Sequence, residues 1–180
     1  MRKVVQLQDF LPVHSTKQYS LRDVDRLACH VIHHTAVEGL TPERCARWHI
    51  DHNNWPGIAY TYWITSDGMI FQVNDLDVLS AGVANHNDIY LSTVLVGCFV
   101  KGKVPSDEQI ATANWLHQIY IPSVLGRKLS LKGHRNCIGA ATMCPGTWDV
   151  NVIDTYQPTA EEGKEIILSP DFTWRYRQRT

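Results

Sequence analysis

At 180 residues, with 44% hydrophobic and 19% charged side chains, the chain suits one folded domain and excludes a disordered one. Its formal net charge of −1 supplies no global pull toward nucleic acid or an anionic surface, so no nucleic-acid partner is expected. No run approaches the ~18 apolar residues of a membrane span, and five cysteines, an odd number, argue against a complete disulfide framework.

Residues 1–25 are weakly periodic and read as an N-terminal extension wrapping the domain. They open with two basic residues and no apolar stretch, which is not a Sec signal. The chain is therefore expected to be made in the cytoplasm and to stay soluble unless something else carries it out. A buried strand is predicted at 28–34. Thr41-Pro42-Glu43 supplies an N-cap, a proline at N1 and an acid in the first turn of a helix running to Asn53. Helical spacing puts Cys45, Trp48, His49 and His52 on one stripe, read as core or groove wall, and Trp55-Pro56-Gly57 breaks the helix.

Ile58 to Ile64 is aromatic and β-branched, and a Ser66-Asp67-Gly68 turn joins it to Met69–Val73, which is a hairpin signal. Residues 74–91 read as loop. Thr93 to Val100 is nearly all apolar, as a central strand buried on both faces would be. Ser106-Asp107-Glu108-Gln109 is a capping box for a helix to Val124, with Ile110, Ala113, Trp115, Leu116, Ile119 and Tyr120 as its apolar face. A short strand at 129–132 follows, and periodicity fades beyond Val150. Cys29, Cys45, Cys98 and Cys137 are expected to be reduced, as small apolar residues in or near the core. A Cys29–Cys45 bridge is the alternative.

Three strings carry the chemistry. H-H-T-A at 33–36, G-H-R at 133–135 and C-P-G at 144–146 supply two imidazoles and one thiolate. A closed structural zinc takes four protein ligands, whereas a hydrolytic zinc takes three and leaves a position for water. Ligands this far apart do not match a zinc-finger spacing and need a whole fold to bring them together. His33 and His34 are neighbours on a predicted strand, so they point to opposite faces and one alone ligates easily.

V-I-H-H-T-A, R-W-H with W-P-G-I-A-Y, S-D-G, V-G-C-F-V, G-H-R and T-M-C-P-G follow one another over residues 28–150. In that order they resemble the zinc-dependent N-acetylmuramoyl-L-alanine amidases of the type 2 family, which includes phage lysozyme-amidases and peptidoglycan recognition proteins. The resemblance implies a single α/β domain at 26–150, a mixed central β-sheet flanked by helices with one zinc at the floor of an open groove. Residues 1–25 and 151–180 are then extensions.

By position, His33, His134 and Cys144 resemble the zinc ligands, and Tyr60 the tyrosine lining the active site. A phenol there can donate a hydrogen bond to the oxyanion forming on a carbonyl. Thr142, counted with Tyr60 as catalytic because its hydroxyl can orient a water or an amide, stands where some phage members carry a lysine, and Cys98 and Phe99 stand where another branch places a catalytic glutamate. The loop 80–87 corresponds to a substrate-facing stretch, in which either His86 or Ser80 takes the place of a family histidine and Asn87 adds hydrogen-bonding groups. Arg135 either holds a stem-peptide carboxylate or pairs with an Asp. His34 is counted with these substrate-side residues, with packing as its alternative.

The expected activity is hydrolysis of the amide joining N-acetylmuramic acid to L-alanine in peptidoglycan, by a monomeric phage-type endolysin that acts on the wall after release. A holin partner is implied by the resemblance alone. The rivals are a recognition module that binds peptidoglycan without cutting it and a cytoplasmic amidase that recycles muropeptides. The basic, aromatic ending at 174–179 is a candidate contact for anionic wall polymers.

Overall fold

Six strands form one mixed sheet in a computed structural model that describes residues 2–157. In chain order the elements are β1 (Val4–Gln6), β2 (Cys29–His34), α1 (Pro42–Asn53), β3 (Tyr62–Ile64), β4 (Ile70–Gln72), β5 (Tyr90–Leu95), α2 (Asp107–Trp115), α3 (Ile121–Leu125), β6 (Ser130–Gly133) and α4 (Val152–Thr155). The sheet runs β1-β4-β3-β5-β2-β6. β3, β5, β2 and β6 are mutually parallel, and β3 and β4 form the antiparallel hairpin.

The two faces bury different sets of side chains because alternate strand residues point opposite ways. Ile32, Tyr62, Ile64, Leu91 and Leu95 pack with Leu116, Tyr120 and Ile121 under α2 and α3, and Ile153 of α4 joins them. Trp63, Val94 and Val96 pack with Cys45 and Ala46 of α1 on the other face. Val31 and Cys29 share that face with Val83, Tyr90 and Cys137.

Capping explains the helix starts. Thr41 Oγ1 accepts the Arg44 amide, and Ser106 and Gln109 complete a capping box on α2. α2 passes into α3 through a π-helical turn, Leu116–Tyr120, so the long predicted helix is continuous but locally underwound to i→i+5 pairing.

Several boundaries differ from expectation. The first 25 residues do more than wrap the domain, since β1 extends the sheet beyond β4. The hairpin's first arm shrinks to Tyr62–Ile64, and side chains rather than a neighbouring strand take the carbonyls of Ile58 and Tyr60 before it. Tyr19 Oη donates to Ile58 O at 2.7 Å, and Asn74 Nδ2 donates to both Ile58 O and Tyr60 O at 2.8 Å. The central strand is Tyr90–Leu95, not 93–100: past Leu95 the chain turns at Gly97, whose amide donates to Thr35 Oγ1 at 2.9 Å. The α1 stripe splits, with Cys45 and His49 buried while Trp48 and His52 stack on each other outside.

Arg22 pins the 74–91 loop, donating to the carbonyls of Leu76, Asn87 and Tyr90 at 2.8, 2.6 and 2.7 Å. All five cysteines are free, so no Cys29–Cys45 bridge forms. Among the described residues no helix is long and apolar enough to cross a membrane. The ending at 174–179 lies outside the described residues.

Candidate metal centre

Both imidazoles leave the C-terminal ends of neighbouring parallel strands. His33 sits near the end of β2 and His134 directly follows β6, and the pairing of these strands sets the two rings 4.5 Å apart. That end of a parallel sheet is where ligands collect in open α/β folds.

The cysteine arrives on a loop that backbone contacts hold down. Gly133 admits it: a Cβ there would come 2.9 Å from Pro145 Cδ and 3.1 Å from Val150 Cγ2. The Cys144–Pro145 peptide is cis. Gly146 has φ +107°, and a Cβ would overlap the Phe99 carbonyl, so no other residue fits. Trp148 Nε1 donates to Pro145 O at 2.9 Å, and Thr147 N donates to Phe99 O at 2.9 Å.

The donor atoms of His33, His134 and Cys144 all lie within 4.8 Å of one another. His33 Nδ1 is 3.7 Å from Cys144 Sγ. Tetrahedral zinc, bonded at its usual lengths to nitrogen and sulfur, sets that separation at about 3.6 Å. His33 is buried, and its Nε2 has no hydrogen-bond partner. The residues fit a single metal ion.

Electrostatics agree with the fit. Burial, then the neighbouring His134 and His34, hold His33 well below the ordinary imidazole range, and burial lowers His134. Both rings are thus neutral, with lone pairs to offer. Burial pushes the Cys144 thiol up to about 11, against the pull of the His34 amide, which donates to Sγ at 3.4 Å, and of Arg135. Ionising that thiol needs a cation beside it.

Tyr60 stands next to the cluster, its ring 5.2 Å from that of His33. Burial, then Cys45 and Cys144, raise its phenol, which stays protonated as an O–H donor. His49 backs the Tyr60 ring at 5.8 Å and accepts the Ala59 amide on Nδ1 at 3.2 Å. Burial holds His49 neutral, with a pKa of about 4. Asn74 fastens the Tyr60 backbone, as described above. The i, i+4 spacing of Cys45 and His49 hints at this support, whereas nothing in the sequence marks Asn74.

Thr142, the other catalytic candidate, and the substrate-side residues fare differently. Thr142 is exposed and accepts the Cys144 amide on Oγ1 at 3.1 Å, shaping the turn before the thiol. His34 points to the other face of β2, where Nδ1 accepts the Phe99 amide at 3.3 Å and the ring packs on Phe99. Ser80 is 1% exposed, so it has no surface to offer a substrate. Asn87 uses Oδ1 to accept the Val83 amide at 2.7 Å, closing its own loop. His86 is half-buried, edge-on to Tyr90 at 6.2 Å, and of the two loop alternatives it alone keeps part of its side chain at the surface. Arg135 is engaged with main-chain carbonyls rather than with an Asp. Its amide donates to Cys144 O at 2.6 Å, and its guanidinium donates to the carbonyls of Gly146 and, at 2.7 Å, Trp148.

The N-acetylmuramoyl-L-alanine amidase family model matches residues 23–147, which spans β2 to β6, α1 and all three converging donors. The chain belongs to this family. Over 112 residues it is 27% identical to N-acetylmuramoyl-L-alanine amidase of Sus scrofa, a match covering 61% of this chain and 18% of that longer protein. Among solved structures, the Ph2119 endolysin from the Thermus scotoductus MAT2119 bacteriophage Ph2119 superposes with a TM-score of 0.70 at 21% identity, covering 91% of this chain and 100% of the other. Peptidoglycan recognition protein-LE, in complex with tracheal cytotoxin, superposes with a TM-score of 0.73 at 21% identity, covering 88% and 98%. The amidase-family fold is therefore the observed one, a mixed sheet flanked by helices.

Proposed function

We propose that the chain hydrolyses the amide between N-acetylmuramic acid and L-alanine in peptidoglycan, with one zinc held by His33, His134 and Cys144. The observation that carries this reading is the donor set itself. Three converging ligands leave a coordination position for a reactant, and a closed structural site would need one more protein donor. Zinc held there would supply Lewis acidity toward the scissile carbonyl and lower the pKa of a water.

The remaining work falls to the chain. Tyr60, protonated and set beside His33, donates to the oxygen that gains charge as the carbonyl is attacked. His49 and Asn74 hold the phenol in place, so little reorganisation accompanies the reaction. Thr142 brings no positive charge, which leaves Tyr60 as the protein's own donor to that oxygen.

The pig amidase and the phage endolysin support the reaction, and the recognition protein held with a peptidoglycan fragment supports the substrate class. The endolysin likeness also supports action on the wall after release from the producing cell. That same complex favours a second reading, binding without cleavage, against which the retained Cys144 weighs.

Incubation with purified sacculi separates these readings. Hydrolysis at the proposed bond yields new L-alanine amino termini and no reducing sugar ends, stops with chelator and resumes with zinc. Reducing ends, or turnover indifferent to chelator, would overturn the mechanism. Tight binding without cleavage assigns the recognition role, and activity confined to soluble anhydro-muropeptides assigns recycling.

A further inference from the structure

A second histidine pair lies on the opposite face of the sheet and takes no part in the proposed reaction. His30 of β2 is fully buried, and His117 of the π-helical turn is nearly so. Their Nδ1 atoms face each other at 3.2 Å. His30 Nε2 lies 2.7 Å from Thr93 Oγ1 on β5, and His117 Nε2 lies 3.1 Å from Asp154 Oδ1 on α4. The chain of contacts runs from mid-sheet to the surface, where the Asp154 side chain is 40% exposed.

Donor and acceptor counting fixes where the protons are. A carboxylate only accepts, so His117 carries its proton on Nε2 and offers a lone pair at Nδ1. His30 Nδ1 must then donate, its Nε2 accepts, and the Thr93 hydroxyl donates to it. Every ring nitrogen is satisfied in this neutral state. One added proton, on His30 Nε2, turns the Thr93 hydroxyl into an acceptor and leaves a cation in the core. A second would set two N–H groups head to head at 3.2 Å, which the packed site cannot hold.

We propose that Thr93, His30, His117 and Asp154 form an acid-sensitive latch that fastens α4, the helix following the Cys144 loop, to the sheet. Among the described residues α4 is also held where Ile153 fills the core, Asn114 Nδ2 donates to Ile153 O at 2.6 Å and to Tyr156 O at 3.4 Å, and Gln118 Nε2 donates to Asp154 Oδ1 at 2.7 Å. Lifting α4 frees Asp154 and opens His117 to water, where it takes up its proton.

The charged groups around the pair act in known directions. Burial lowers both histidines. For His30 the nearby His117 and His33 add to that, while for His117 Asp154 opposes it and Lys128 reinforces it. A histidine whose folded value is depressed stabilises the closed form above its free value of about 6.5. That stability is lost as the pH falls below 6.5.

Amide hydrogen exchange on the full chain, corrected for intrinsic rates, tests the latch. For each extra proton bound by the open form, the opening equilibrium of residues 152–156 should rise about tenfold per pH unit below 6.5, while the sheet amides stay flat. The double variant His30→Leu, His117→Met should remove this slope. Should that variant not fold, Asp154→Asn keeps an acceptor but loses the carboxylate that opposes the lowering of His117, so opening should be greater at every pH and the acid slope, still beginning near about 6.5, should continue to lower pH. Ring nitrogen shifts at neutral pH should show the proton on Nδ1 of His30 and Nε2 of His117. An acid response shared by the whole chain, one that survives the double variant, one whose level and span Asp154→Asn leaves unchanged, or the opposite tautomers would each overturn the proposal. None of these readouts depends on the amidase reading.

Discussion

The same strand presents histidine in two conditions, and His33 and His30 differ in what their nitrogens are doing. At the strand end, His33 meets His134 with ring centroids 4.5 Å apart, a thiol 3.7 Å from Nδ1 and no hydrogen-bond partner for Nε2. In mid-strand, His30 has both nitrogens engaged, by Thr93 and by His117. A lone pair already accepting a hydrogen bond is not available to a cation. At the strand end a single long thiol–imidazole contact, 3.7 Å, is all that joins the converging donors, and ligand capacity is left for a cation to take up. Residue type is the same in both places; unspent donor capacity separates the candidate metal centre from the latch.

Removing the thiol tests the centre most severely. Cys144→Ala should abolish stoichiometric zinc and lower release of L-alanine amino termini by at least about 10³-fold, the several kcal/mol that metal assistance supplies. Zinc analysis and turnover on one preparation, with circular dichroism to show the fold intact, make the check. Full activity in that variant would erase the contrast with the His30 pair.

Tyr60→Phe sharpens the same contrast with a smaller effect. Losing one donor to a developing oxyanion costs about 10²-fold in kcat. Zinc content and KM should hold, because the ring and its support from His49 remain. A fall in zinc content instead would mean that the phenol serves the ligands rather than the substrate.

How far these features are legible in the sequence depends on how local their causes are. α1 is legible to its last residue because Thr41, Pro42 and the break after Asn53 act within a few positions. The ligand residues are legible because their flanks are so specific: Gly133 and Gly146 are needed where the Cys144 loop packs against β6 and Phe99. The extent of β5 is not, since the apolar run continues through Val96 while the ladder stops at Leu95. Trp48 and His52 share the spacing of Cys45 and His49, yet a helical stripe says nothing of how deep each residue lies. Ser80, Asn87 and Arg135 mislead for another reason. Their surroundings and partners are set by tertiary structure, and a main-chain carbonyl leaves no mark on the residue that will find it.

Arg135 turns that last point into the finest test. A guanidinium spans two carbonyls with one planar fork, and a lysine ammonium cannot reproduce the pair. Arg135→Lys should therefore cost about 1–2 kcal/mol in urea unfolding, loosen the loop that carries Cys144 and weaken zinc retention modestly, with KM for a soluble muropeptide unchanged. Were the side chain instead gripping a stem-peptide carboxylate, KM would rise severalfold at constant stability. The bonds to Gly146 and Trp148 predict the first pattern, because both Nη groups already donate to carbonyls of its own chain and are held there. The same accounting of spent and unspent donors that divides His30 from His33 thus assigns the residue beside His134 to holding the site together.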